Sequence, residues 1–454
     1  MTPGQFARRE QTRFLNDLKT FVRYPSVSAQ PQHQRDLQAC AQWLVRHLRG
    51  IGLATTLQPT AGHPIIVART PLVAGRPTVL VYGHYDVQPP EPLHLWKTPP
   101  FEPVVKGGKL FGRGASDNKG QILVHVKAVE SYLATGTELP VNVVFLIEGE
   151  EETGSANLTP FLKRHARELR GDYVVISDSG MWAKGVPAVT YGTRGVLALE
   201  LRVDGPNRDL HSGVFGGSIA NPALVLAQLL ASCVDQQGRV NVPGFYDEVT
   251  PLSAWERRQF AALPFDERAY AKSLGVPAPA GERGFTTTER RWARPTFEVN
   301  GLFGGYQGAG GKTIVPAWAG AKVTCRLVPR QRATTIARLV QRHLRAQCPR
   351  SVKLTVTVEN GSGAFLQSPR GAATRAAARA VTRAFGRAPY FIREGGSLPI
   401  LPVLQRTLGA EVLLLGLGLA DDNWHSPNEK MDLANFRRGI AMSVGLLAEL
   451  GRLH

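Results

Sequence analysis

The sequence predicts an α/β fold, a mostly parallel sheet in a catalytic-type domain interrupted by a smaller ferredoxin-like α+β domain. Three observations predict it. Short apolar, β-branched runs alternate with helical patterns toward both ends of the chain, and the middle changes to the order β-α-β-β-α-β. The 454 residues also exceed one ordinary core, since domains cluster near about 150 residues. With 43% hydrophobic and 20% charged residues, disorder as the whole answer is excluded. The 47 glycines and 32 prolines follow no three-residue period, which excludes collagen-like and linker-like chains.

The N-terminal stretch MTPGQFARREQTRFLNDLKTFV carries charges where a secretory signal needs an apolar core. No run approaches the roughly 18 apolar residues of a membrane span, Val412–Ala420 being the best and too short. Ile65–Ala68 and Thr78–Tyr82 read as buried strands. After Asp117-Asn118, the residues Ile122, Val126, Val129 and Leu133 mark one face of a helix with a capping residue just upstream. Val141–Ile147, Tyr173–Ile176 and, far downstream, Val412–Leu415 are further strands. Alternation of this kind implies a parallel sheet covered on both faces.

Val196–Val203 alternates as a strand, Asn221–Val234 is helical, Thr296–Val299 and Lys322–Leu327 are strands, Thr334–Ala346 is helical, and Val352–Val358 alternates again. A domain at 194–359, inserted between catalytic halves 1–193 and 360–454, follows. Residues 235–294 form a long insertion within it, partly helical. Cys40, Cys233, Cys325 and Cys348 are far apart without a CxxC pair, so neither a disulfide framework nor a thiolate metal site is expected, and a reducing cytoplasm fits.

The net charge is 54 − 36 = +18, which by itself favours a polyanion such as nucleic acid. The basic residues are arginines scattered singly or in pairs (Arg8-Arg9, Arg257-Arg258, Arg290-Arg291, Arg437-Arg438) with no basic run or aromatic-interleaved stripe. A solvated surface accounts for them better, and an acidic substrate is a third explanation. Neither nucleic acid nor membrane is an expected partner.

The informative pattern is where sharp polar residues fall. His84 follows a strand in GHYD, Glu151-Glu152 follow another in EGEEETGS, Asp178 follows a third in ISDS, and His425 lies beyond the last. Asp117 sits at the mouth of a helix. In an open α/β sheet the C-terminal strand ends line the ligand crevice, so these groups can converge. Imidazole and carboxylate without thiolate suit zinc, manganese or cobalt in a hydrolytic site. Two imidazoles and three carboxylates can hold two ions about 3.5–4 Å apart if one carboxylate bridges, and Asp117 is the natural bridge. Neighbouring residues at a strand end point different ways, so Glu152 can bind metal while Glu151 addresses water as general base. Asp86 is placed to accept from the other N–H of His84.

Each residue alone is more often a cap or a solvated charge than a ligand; the ensemble carries the reading. GYQGAGGKT mimics a phosphate loop but has Tyr306 where that loop needs glycine. No GxGxxG follows a strand, and Ser26, Ser28 and Ser397 lack a GxSxG elbow.

Taken in order, GHYDVQP (83–89), GRGASDNKG (112–120), EGEEETGS (148–155), ISDS (176–179), DLHSGVFGG (209–217), GGKTIVPAWAGAKVTCRLVP (310–329), REGGSLP (393–399) and HSPNEK (425–430) resemble the carnosinase-like, cytosolic nonspecific dipeptidase branch of the aminoacylase and carboxypeptidase superfamily of co-catalytic zinc peptidases. The resemblance runs through nearly the whole chain. It implies that His84, Asp117 and Asp178 hold one divalent ion and Asp117, Glu152 and His425 the other, with Glu151 as general base and Asp86 orienting His84. It also implies a cis Asp117-Asn118 peptide. The middle domain would be a lid through which two copies form a homodimer, His211 would stabilise the oxyanion in the partner's site, and Thr313, Arg326 and Ser397 would bind the substrate's carboxylate end. The expected reaction is hydrolysis of a dipeptide with a free C-terminal carboxylate, with N-acyl amino acid deacylase or carbamoyl amidohydrolase as the alternative on the same fold. The longer GLADDNW before His425 and residues 235–294, with few family landmarks beyond VPGFYDEV (242–249), bear on substrate range.

Overall fold

The computed structural model describes residues 1–453. Its contacts divide the chain into two compact units, one formed by Met1–Tyr191, Gln367–Ile392 and the chain from Ile400 onward, the other by Gly192–Leu366 with Arg393–Pro399.

In the first unit the main sheet runs in the order Ala54–Gln58, Ile65–Arg69, Asn142–Glu148, Thr78–His84, Tyr173–Ile176, Glu411–Leu414, Ala188–Thr193. The four strands from Asn142–Glu148 to Glu411–Leu414 are parallel to one another, and antiparallel strands flank them. The parallel strands are the apolar runs of the sequence because both their faces are covered; every residue of Asn142–Glu148 and Tyr173–Ile176 is buried. Thr78–His84 is longer than its apolar run and ends on His84 itself.

The helix Lys119–Ala134 departs from the one-faced pattern. Lys119 to Tyr132 are all buried, enclosed by neighbours that include Leu433–Gly451 and Gln11–Val22. Two lysines go down with it because their ammonium groups are satisfied: Lys119 donates to the carbonyls of Phe21 and Tyr24, and Lys127 donates to Asp17, His47 and Glu130 at 2.7, 2.8 and 2.7 Å.

The second unit has a four-stranded antiparallel sheet in the order Thr296–Gly304, Trp318–Leu327, Gly195–Asp204, Lys353–Ser362. With the helices Pro222–Ser232 and Ala333–Gln347, this is the β-α-β-β-α-β arrangement with the first and third strands central. Leu197, Leu199, Leu201 and Val203 pack with Val323, Cys325 and Leu327 and with Leu226, Leu229 and Val340 of the helices. The 235–294 insertion contains the short helices Ala254–Ala261, Glu267–Ser273 and Thr287–Ala293. All four cysteines are free. Among the described residues no helix is long and apolar enough to cross a membrane.

Candidate metal centre

Five of the residues singled out above converge at the C-terminal ends of the parallel strands. His84 closes its strand after Gly83, where a side chain would collide with Asn118 and Ile122; glycine lets the strand end meet the helix start. Asp117 precedes that helix across a cis Asp117-Asn118 peptide. Asp178 follows Tyr173–Ile176, and His425 lies in a loop where Asn423, His425 and Asn428 all have positive φ.

Ligand-type atoms of His84, Asp117 and Asp178 lie within 4.8 Å of one another, as do those of Asp117, Glu152 and His425, and those of His84, Glu151 and Glu152. Asp117 joins the first two groups. Its Oδ1 is 3.3 Å from His84 Nε2, and its Oδ2 is 3.1 Å from His425 Nε2. The same His84 nitrogen is 3.7 Å from Asp178 Oδ2, and the same His425 nitrogen is 3.4 Å from Glu152 Oε2. One carboxylate thus faces two imidazole sites with its two oxygens.

The electrostatics fit divalent cations. Asp86, Asp117, Glu151, Glu152 and Asp178 surround two imidazoles, so even with both rings protonated the group carries −5 + 2 = −3 when fully ionised. Burial and neighbouring carboxylates raise the Glu151 carboxyl, with His84 opposing. Burial and Asp117 do the same to Glu152. Burial resists ionisation of Asp117, but the hydrogen bond from His425 and the adjacent His84 ring outweigh it and hold its pKa low. Burial also works against protonating His84, and the carboxylates of Asp117, Asp178 and Asp86 overcome it. His84 Nε2 is buried and makes no well-directed hydrogen bond. A nitrogen aimed between two carboxylates, with no sulfur nearby, is a donor set for a hard or borderline cation.

Asp86 meets His84 Nδ1 through its main chain and its carboxylate. The hydrogen bond from His84 Nδ1 goes to the main-chain carbonyl of Asp86 at 3.1 Å, with its Oδ1 at 3.3 Å. The Asp86 carboxylate also accepts from Ser28 Oγ and from the backbone N–H groups of Glu151 and Glu152. The Glu151-Glu152 pair lies beyond the strand, in the 3-10 turn Glu151–Thr153, and both carboxylates lean toward His84 instead of diverging. A turn lacks the alternation that the strand-end reading assumed.

Three supporting residues escaped the sequence reading. Asn118 stands at the N-cap without a side-chain cap; Nδ2 donates to the Ser177 carbonyl at 2.7 Å and to Asp178 Oδ1 at 2.9 Å. Gln88 Nε2 donates to Glu152 Oε2 at 2.8 Å. Glu429, fully buried, accepts from Arg113 Nη1 and from the backbone N–H groups of Gly114, Ser116 and Asp117 at 2.8 to 3.0 Å. Burial pushes its carboxyl up, and Arg113 and the amides pull it back. Four donors with no acceptor match the ionised form. A further carboxylate-imidazole group, Asp17, His47 and Glu130, already encloses the Lys127 ammonium.

The other expected site residues belong to the second unit. Arg326 Nη1 donates to Ser397 Oγ at 3.0 Å. His211 pairs with Ile314, next to Thr313, in a two-stranded sheet. His211 Nδ1 accepts from Gly213 N at 3.0 Å. Asp209 binds the Ala317 amide and Lys312, not His211.

Peptidase family M20/M25/M40 matches residues 80–449. The chain belongs to this family. Among M20 relatives, the Cys-Gly metallodipeptidase of Candida albicans is 33% identical over 460 residues, covering 97% of this chain and 95% of that protein. The human Beta-Ala-His dipeptidase is 33% identical over 468 residues, covering 99% and 92%. An M20 family metallo-carboxypeptidase from Sulfolobus solfataricus superposes with a TM-score of 0.86 at 31% identity, covering 97% of this chain and 99% of that one.

Proposed function

We infer that this M20 chain is a metal-dependent dipeptidase, which hydrolyses the peptide bond of dipeptides bearing a free C-terminal carboxylate. The observation that carries it is the division of Asp117's two oxygens between His84 and His425, beside the carboxylate of Glu151. His84, Asp117 and Asp178 would hold one ion, and Asp117, Glu152 and His425 the other. The sulfur-free donor set supports zinc, with manganese or cobalt as substitutes. When bound, such a pair supplies Lewis acidity toward a carbonyl and acidifies water.

The chain's own groups do the rest. Glu151, its carboxyl raised by burial, is basic enough to take a proton from the attacking water and return it to the leaving amine. Gly213 N–H occupies His211 Nδ1, so in the neutral ring Nε2 carries the hydrogen and can donate to the oxyanion. Arg326 offers a planar fork to the substrate's α-carboxylate, with Ser397 and Thr313 beside it in this scheme. Residues 194–359 act as lid and dimerisation domain in a cytoplasmic homodimer, His211 serving the partner's site.

Metal-stripped protein reconstituted with zinc, manganese or cobalt, and given dipeptides, C-terminally amidated dipeptides, tripeptides, N-acyl and N-carbamoyl amino acids, tests this. Metal-restored cleavage confined to free dipeptides is expected. Preference for acyl or carbamoyl amino acids would move the assignment to an amidohydrolase.

A further inference from the structure

In the second unit, Arg326 lies opposite Val196 on one neighbouring strand and Thr296 on the other, and Arg194 stands two residues before Val196. The ladder therefore brings both guanidinium stems to one end of the sheet. Each holds one end of the same short loop. Arg194 Nε donates to the Gly395 carbonyl at 3.0 Å and Nη1 to the Arg294 carbonyl at 3.4 Å, while Arg326 Nη1 donates to Ser397 Oγ at 3.0 Å. A guanidinium has five N–H donors, so both keep donors to spare.

Among the described residues neither arginine has a carboxylate within ion-pair distance. Burial, then the charge of Arg326, push the Arg194 pKa down to about 10; Arg291 adds to this and Glu298 alone opposes it. Arg194 still stays charged at neutral pH. Two part-buried like charges without a counter-ion destabilise a fold, and such an arrangement is retained where a ligand brings the anions.

We propose that Arg194 and Arg326 form a two-guanidinium subsite selecting dipeptides whose C-terminal residue carries a second carboxylate, Xaa-Glu or Xaa-Asp. The proposal rests on the dipeptidase reading and deepens it. The α-carboxylate neutralises Arg326 only; a side-chain carboxylate supplies the charge that Arg194 lacks, and planar forks suit both. The net charge of +18 would also draw an acidic substrate in.

A different role for Arg194 is that of a strut, its two bonds to main-chain carbonyls holding the loop whatever the substrate. Steady-state kinetics of the zinc-loaded enzyme on Ala-Glu, Ala-Gln and Ala-Ala separate the two. Wild type is expected to favour Ala-Glu over Ala-Gln by about tenfold or more in kcat/KM, mainly through KM, the worth of one charge-assisted pair. R194Q should erase that preference and R194K restore part of it. In wild type alone, glutarate should inhibit more strongly than butyrate, a readout that needs no variant to fold. Equal cleavage of Ala-Glu and Ala-Gln by wild type, or an equal loss on all three substrates in R194Q, overturns the subsite. Failure of the metal-loaded enzyme to cleave any dipeptide overturns the dipeptidase reading beneath it.

Discussion

Glu429 offers a quantitative test of how the Asp117 loop is held. Its Oε2 accepts from Arg113 Nη1 and Gly114 N, its Oε1 from Ser116 N and Asp117 N, and Arg113 is only 1% exposed. Glu429→Gln keeps the shape and one oxygen, but turns an NH2 group against two donors. Breaking a buried ion pair by removing one partner costs about 3–5 kcal/mol, and an orphaned amide about 1–3 kcal/mol. The losses share one site and do not add, so about 4 kcal/mol is expected, a large part of the roughly 5–15 kcal/mol that a domain possesses. Urea unfolding of metal-free protein measures it. Calorimetric metal titration of the same variant should show affinity weakened about 10–100-fold, because the backbone at Asp117 loses its support. A variant within about 1 kcal/mol of wild type with unchanged metal affinity would refute the four-donor, ionised-carboxylate account.

Asp117→Ala should abolish binding of both ions, whereas His84→Ala and His425→Ala should each weaken one; elemental analysis decides, and full occupancy without Asp117 would falsify the shared bridge. Glu151→Gln should retain metal yet lose turnover by orders of magnitude, while Glu152→Gln should lose metal; the reverse would exchange their roles. Mixing inactive His211→Ala with inactive Glu151→Gln should regain activity if His211 acts across a dimer, and exchanged subunits that stay dead rule that out. Burial holds His125 down to about 4 from 6.5, between Ser443 and Ser177. The unfolded chain therefore binds the extra proton first, and stability, full above about pH 6.5, should fall by up to about 3 kcal/mol as pH drops through about 4. A His125→Gln variant with the same acid slope as wild type would show that this ring contributes nothing.

What was legible depended on whether the cause was local. The parallel strands stand out in the sequence because burial on both faces demands unbroken β-branched runs, and strand ends then locate His84 and Asp178. The role of Asn118 is not legible because capping is a local rule, and its amide is claimed by Ser177 and Asp178, about 60 residues away. The Glu151-Glu152 turn was read as a strand end because the sequence does not show that the chain leaves the sheet after Glu148. There Gly149 packs so close to Tyr85 that a side chain would strike its hydroxyl. The buried face of Lys119 and Lys127 was equally invisible, since, Glu130 aside, their acceptors come from the helix Gln11–Val22 and the turn just after it and from the helix Gln34–Gly50.

These distant contacts explain how so many carboxylates can gather before a cation arrives. Asp86 is held by Ser28 and two backbone amides, Asp178 by Asn118, and Glu152 by Gln88. The backbone at Asp117 is held by Glu429. Donors that neutralise the backs of the carboxylates offset part of their mutual repulsion, and they come from residues that would not themselves ligate metal. The remaining oxygens of Asp117, Asp178 and Glu152 face His84 Nε2 and His425 Nε2 at 3.1 to 3.7 Å, and two imidazoles are too few to balance the carboxylates gathered there. Cation affinity then arises from relieving that repulsion within a shape already set, without ordering the loops at the moment of binding. Removing a supporting donor should consequently weaken metal binding even where every ligand remains in place.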